Sequence, residues 1–179
     1  GADITGAKPI QLLKSGISYV PGGRSNFPLM TVQENLEMGA FIRSDPRGVQ
    51  ADIDALCERF TILREKRHTK VGNLSGGQQQ KVMIAHNIAK EPDLFMLDEP
   101  FSNLDFRARE FLQDVFKGMV QQGVPILMVA HAFDGLPDIP IHLVVMNRGR
   151  ITGDLSCQAG EVEEIIRKEC EVKERCSSG

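Results

Sequence analysis

The sequence lacks several features that would each mark a class of protein. No stretch of its 179 residues approaches the roughly 18 consecutive apolar residues that span a bilayer, so membrane contact is expected only through a partner. No secretory leader opens the chain, and a cytosolic location is predicted. Basic residues are not in excess: 21 Lys and Arg against 24 Asp and Glu leave a formal charge of -3, which offers no footprint for nucleic acid or an anionic surface. The four cysteines, Cys57, Cys157, Cys170 and Cys176, form no Cys-x-x-Cys and meet no histidine pair at zinc spacing, so they read as reduced thiols without a metal role. Internal repeats and low-complexity segments are absent. Gly1 stands in place of an initiating methionine and Ser177-Ser178-Gly179 resembles tag or linker, so both ends read as those of a fragment.

What is present is ordinary for one globular domain: 41% apolar and 25% charged residues. Residues 17–20, Ile-Ser-Tyr-Val, predict a short strand that stops at Pro21-Gly22-Gly23. Thr31 with Glu34 makes a capping box and predicts a helix start. Val49, Ile53, Leu56, Phe60 and Leu63 recur at helical spacing, predicting one amphipathic helix over about 49–64. From residue 93 the pattern changes to a continuous apolar strand ending in Asp98-Glu99-Pro100. A helix is predicted over about 105–122, closed by Gly123, then a buried strand running to His131. The segment around Asn147-Arg148-Gly149 reads as a hairpin turn, and about 160–175 as a charged helix. Fully apolar strands alternating with helices predict an α/β fold with a mostly parallel sheet between helices.

Three features could carry chemistry. Residues 74–78, Leu-Ser-Gly-Gly-Gln, open a helical run, and a glycine-rich helix start directs unpaired N–H groups and the positive dipole end at an anion. The bland alternative is a glycine pair kept for steric reasons. Asp98 and Glu99 end an apolar strand, at the edge where α/β sheets bind ligands; alternatively they are only a polar strand end. His131 closes a second apolar strand at the same edge, where it could reach a phosphate or simply be solvated.

Taken together, the turn at 74–78, "LFMLDEP" at 94–100, "SNLD" at 102–105 and the strand ending in His131 occur in an order that resembles the ATP-binding cassette (ABC) ATPases, from about Ile4 to Ile151. The resemblance implies a P-loop NTPase fold, α/β, with residues 1–24 and 89–158 in a partial RecA-like core, a helical signature subdomain at 25–88 and a C-terminal helix at 159–176. It implies that Asp98 holds Mg²⁺ through water and that Glu99 is the general base for the attacking water. By the same resemblance, His131 contacts the γ-phosphate, Asp105 belongs to the loop linking two sites across a dimer, and Ser75, Gly76, Gly77 and Gln78 form the signature turn. That turn clamps the γ-phosphate of ATP held by the opposing subunit. ATP and Mg²⁺ are the implied cofactors, and a homodimer or paired ABC ATPase plus a transmembrane permease are the implied partners, which would place the chain at the inner face of a membrane.

One part of the family pattern is not in the sequence. The dipeptide Gly-Lys occurs nowhere, so Gly-x-x-x-x-Gly-Lys-Ser/Thr is absent; Gly23-Arg24-Ser25 is no substitute, because Ser18 stands where the earlier glycine is required. The opening 41 residues resemble the region just after the phosphate loop, most closely in importers of branched-chain amino acids. The expectation is a chain that lacks the Walker A portion and is inactive alone. Two departures stand out within the part present. Gly22 replaces a glutamine or glutamate, which puts coupling at that loop in question, and His86-Asn87 replaces the usual Arg-Ala, with His86 expected on the helix surface.

Two functions are therefore carried forward. In the first the chain is the ATP-hydrolysing subunit of an importer, with Phe27, Met30 and Leu36 in the block that meets the permease, or else in the core. In the second it is a non-catalytic module that offers its signature turn and Asp105 to a partner carrying an intact phosphate loop. A chromosome-maintenance relative would need a long coiled coil between Gly22 and Leu74, and no sustained heptads occur there.

Overall fold

The computed structural model describes residues 3–22, 26–102, 104–131 and 136–168. In chain order the elements are α1 (Pro9–Lys14), β1 (Ile17–Val20), α2 (Val32–Gly39), α3 (Pro46–Arg59), α4 (Thr61–Glu65), α5 (Gly76–Ile88), β2 (Leu94–Asp98), α6 (Phe106–Gln121), β3 (Ile126–Val129), β4 (Pro140–Asn147) and β5 (Arg150–Gln158). The three parallel strands lie in the order β1-β2-β3, with Val20 opposite Leu97 and Leu97 opposite Met128. This is the α/β class the alternating pattern predicts, but the strand expected to run buried to His131 is instead Ile126–Val129, with Leu127 and Val129 exposed.

Local chemistry explains where most elements begin and end. The Thr31 hydroxyl accepts from the Glu34 N–H while the Glu34 carboxylate accepts from the Thr31 N–H at 2.7 Å, which satisfies two donors at the start of α2. Gly123, at φ 83°, ends α6. Arg148 and Gly149 both have positive φ and form the two-residue turn of the β4–β5 hairpin, the geometry that suits twisted antiparallel strands. Residues 162–168 are helical, so the described part of the predicted C-terminal helix forms, while 169–176 lies outside the described residues.

The single helix predicted over 49–64 is two. It starts earlier, with Pro46 in the first turn where a missing N–H costs nothing, and it breaks at Phe60, whose φ of -109° and ψ of 83° are not helical. That break turns the Phe60 ring into the core, edge-on to Phe111 of α6 with centroids 4.8 Å apart. Tertiary packing overrides the local periodicity there.

The sheet has two unlike faces. Ser18, Val20, Phe95 and Leu97 are buried beneath α5 and α6. The Ser18 hydroxyl donates to Asn87 Oδ1 at 2.9 Å, Asn87 Nδ2 donates to the Met83 carbonyl at 2.8 Å, and Lys90 Nζ donates to the same Oδ1 at 2.6 Å, so this polar core group is hydrogen-bonded. Phe95 and Phe101 both pack on Phe116 of α6. On the other face Tyr19, Met96 and Leu127 form one row, and Tyr19, Leu127 and Val129 are 52%, 54% and 53% exposed.

Within the helical block α2 crosses α5 closely, because Gly39 lies against the His86 carbonyl, where a Cβ would collide. His86 therefore sits in an interface and not on the helix surface as its sequence context suggested. Its Nδ1 lies 2.7 Å from the Asn35 carbonyl, so that nitrogen carries the proton and donates. Leu36, in the block read as either permease surface or core, is fully buried. Arg43 joins α3 to the end of α5: almost enclosed, it binds Asp45, Asp52 and Glu91 and donates to the Ala89 carbonyl. The Asp45 hydrogen bond leads in raising its already high pKa.

Burial pushes the His86 pKa below 6.5, against the opposing pull of the Asn35 hydrogen bond, and nearby Lys90 adds to the fall. The unfolded chain then binds the extra proton, so this contribution to stability is intact above about pH 6.5 and is lost as pH falls toward the folded pKa. Urea midpoints taken at about pH 7.5 and about pH 5.5 are expected to drop less for His86→Gln than for the unsubstituted chain; equal drops contradict this.

Candidate functional site

The site is built at the C-terminal edge of the sheet. Strand β2 ends at Asp98, but the ladder continues one residue further: the Glu99 N–H donates to the Val129 carbonyl at 2.8 Å. Glu99 itself has φ 45°, a left-handed conformation that a residue with a Cβ seldom adopts. Such strain persists where surrounding bonds over-determine it and gathers at functional positions. Here those bonds are visible. The Ser102 N–H donates to the Glu99 carbonyl at 3.1 Å and the Ser102 hydroxyl to Glu99 Oε2 at 2.8 Å.

The β2–β3 register places His131 just past the neighbouring strand end, with Nε2 3.4 Å from Glu99 Oε1. The two residues nominated from separate strands are thus neighbours. The His131 side chain is 81% exposed and open to a ligand from solvent. Asp98, half-buried, points to the sheet face that carries Tyr19, and the Tyr19 hydroxyl donates to Asp98 Oδ2 at 3.3 Å. Gly22 abuts the same carboxylate: a Cβ there would lie 3.4 Å from Oδ2. Burial, followed by the Asp98 charge and hydrogen bond, raises the Tyr19 pKa.

The remaining nominated residues occupy two helix starts. Ser75 caps α5, accepting from the Gln78 N–H at 3.4 Å, and the Gln78 side chain accepts from the Ser75 N–H at 3.0 Å. The Gln78 amide oxygen is thereby committed to the cap. Gly76 and Gly77 fall in the first turn, ahead of the ladder that begins with Gln79 N–H to the Ser75 carbonyl at 2.9 Å, and that leaves backbone donors for an anion. Asp105 caps α6, with Oδ1 accepting from the Ala108 N–H at 2.8 Å. The α5 start is tied to the strand-end loop, since Gln80 Nε2 donates to the Pro100 carbonyl at 3.4 Å. A Cβ at Gly77 would meet that of Ala108 at 4.0 Å.

Tyr19 and Ser102 were not nominated from the sequence. The signal for Tyr19 was available in the period-2 alternation, which puts it on one face with Met96 and Asp98 once the register is known. Ser102 lies three residues after Glu99, within reach only because Glu99 turns left-handed. Asn103 and Gly23-Arg24-Ser25 lie outside the described residues.

Among the described residues no three His, Cys, Asp or Glu side chains gather into a metal cluster. A single half-exposed carboxylate oxygen donor suits Mg²⁺, which keeps several waters and takes its other ligands from substrate phosphates. No described helix is long and apolar enough to cross a membrane.

Residues 1–102, more than half of the chain, match the family described as ABC transporter. The chain belongs to the ABC transporter family. Among its relatives, the molybdate/tungstate import ATP-binding protein of Pyrococcus horikoshii is 32% identical over 94% of this chain and 47% of its own length. The spermidine/putrescine import ATP-binding protein of Bacillus thuringiensis is 36% identical over 79% of this chain and 42% of its own. The chain spans about half the length of these curated relatives or less. An ATP-binding cassette of an ABC transporter in its ADP conformation superposes with a TM-score of 0.73 at 22% identity, over 90% of this chain and 70% of that one. That likeness shows that the chain has the fold of an ATP-binding cassette.

Because Asp105 works as a helix cap, Asp105→Ala is expected to cost about 1 kcal/mol in urea unfolding while Asp105→Asn stays nearly neutral. Equal losses in both variants would show that its charge, and not its capping oxygen, stabilises α6.

Proposed function

We propose that this chain supplies the strand-end and signature half of an ATP-hydrolysing site in the ATP-binding subunit of an importer. The observation that carries this is Glu99, a carboxylate on a left-handed turn at the end of a sheet strand, held by Ser102 on one oxygen and beside His131 on the other. A carboxylate fixed at one oxygen and open at the other is arranged to take a proton from water, assistance worth on the order of 10²–10⁴-fold. His131 is placed to donate to a phosphate oxygen next to that water. Asp98 is the residue that would hold Mg²⁺, which when bound neutralises phosphate charge during transfer.

The first-turn N–H groups of Gly76 and Gly77, with the Ser75 hydroxyl, present the positive end of α5 to a phosphate. In this reading they serve the nucleotide of a second ATPase subunit, and Asp105 lies at the contact between the two. A permease in the membrane would be the coupled partner, and the subunit would sit at its cytoplasmic face. The relatives are named for importing molybdate or tungstate, ribose, and spermidine or putrescine, so the shared residues carry the ATPase chemistry and not the cargo. Kinship with branched-chain amino acid importers rests on residues 1–41 alone.

The missing Gly-Lys dipeptide favours a second reading as well, a non-catalytic module acting in trans. ATP titration of the 179-residue chain by calorimetry is expected to show no saturable binding at millimolar nucleotide; clear saturation refutes the incomplete pocket. Fused behind a segment bearing Gly-x-x-x-x-Gly-Lys-Ser/Thr, the chain is expected to hydrolyse ATP, with Glu99→Gln lowering turnover about 10²- to 10⁴-fold while binding remains. Hydrolysis that stays absent in the fusion supports the module, and turnover that survives Glu99→Gln removes Glu99 as the base.

A further inference from the structure

Tyr19 stands opposite Met96, two residues before Asp98 on the same sheet face. Diagonal neighbours across paired strands lie within reach of a long aromatic side chain, and the phenol reaches Asp98 Oδ2 at 3.3 Å. Gly22 lies beside that same oxygen, where a Cβ would stand 3.4 Å away, and offers no side chain. The polar contact to this carboxylate from the β1 side therefore comes from a hydroxyl.

A hydroxyl has a particular consequence here. A lysine or arginine in its place would cancel the carboxylate charge, whereas a neutral O–H orients the group and leaves the charge to attract a cation. Each carboxylate oxygen has two lone-pair sites, so a phenol on Oδ2 leaves Oδ1 uncommitted.

We propose that Tyr19 is a positioning residue for Asp98: its phenol holds Oδ2 and fixes how the carboxylate is offered to a divalent cation, where Gly22 supplies no side chain. This rests on the reading of Asp98 as the cation-holding residue. The sequence supplies an unusually clean probe, because it contains one tyrosine and no tryptophan, so all tyrosine emission and phenol titration report residue 19.

The test compares the full chain with Tyr19→Phe and Asp98→Asn. A phenol bonded to a carboxylate emits weakly, so Asp98→Asn is expected to brighten tyrosine emission. In the fusion bearing the phosphate-loop segment, with ATP present, protein-bound Mn²⁺ read by electron paramagnetic resonance is expected to weaken roughly three- to tenfold in Tyr19→Phe and to fall further in Asp98→Asn. Emission unmoved by Asp98→Asn shows that the hydrogen bond is absent, and that overturns the proposal. Mn²⁺ held equally by Tyr19→Phe and the unsubstituted fusion, but not by Asp98→Asn, also overturns it and leaves the Asp98 reading intact. Mn²⁺ unbound by the unsubstituted fusion with ATP present, or held equally by it and by Asp98→Asn, removes the Asp98 reading and the proposal with it.

Discussion

The clamping of β2 between β1 and β3 is the constraint on which the working edge depends. Among the described strands β2 alone is hydrogen-bonded on both sides. Its alternation puts Phe95 and Leu97 into the core and leaves Met96 and Asp98 on the opposite face. A slip of one residue would exchange those faces, sending the Asp98 carboxylate toward Phe116 and the Phe95 ring toward solvent, so burial fixes the register strongly. With the register fixed, the strand end, and with it Asp98, Glu99 and His131, has one available arrangement. Packing in the interior thereby sets the chemistry at the rim.

The polar residues at the helix starts have a second role that limits their first. Ser75, Gln78 and Asp105 each satisfy backbone donors that would otherwise be bare. The Gln78 amide oxygen is engaged in doing so, and in the proposed reading the glycine N–H groups and the Ser75 hydroxyl remain to meet an anion. Gly76 and Gly77 keep that approach free of side chains, and the bond from Gln80 to the Pro100 carbonyl links α5 to the loop that follows the carboxylates. Two anion-facing elements of one subunit are thus mechanically connected while facing different nucleotides in the proposed pairing.

Much of this was legible in the sequence where the controlling forces are local. The Thr31 cap, the glycine-rich start of α5, the Gly123 stop, the Arg148-Gly149 turn and the three apolar strands are written in residues a few positions apart. The closeness of Glu99 and His131 followed from both ending neighbouring parallel strands. What escaped depended on partners distant in the chain. Phe60 breaks a regular helical pattern to reach Phe111, fifty-one positions away. His86 has the sequence setting of a surface residue until α2 arrives over Gly39. Tyr19 meets Asp98 across seventy-nine positions, and no local spacing encodes that contact.

The central claim, that β2–β3 pairing runs one residue beyond Asp98 and so delivers Glu99 to His131, is tested most directly by native-state amide hydrogen exchange. The Glu99 N–H, bonded to the Val129 carbonyl, is expected to exchange as slowly as the Leu97 N–H in mid-strand, through the same global opening. Exchange at Glu99 as fast as in an unprotected loop would contradict the claim, because the carboxylate would then lack the backbone anchor that sets it beside the histidine.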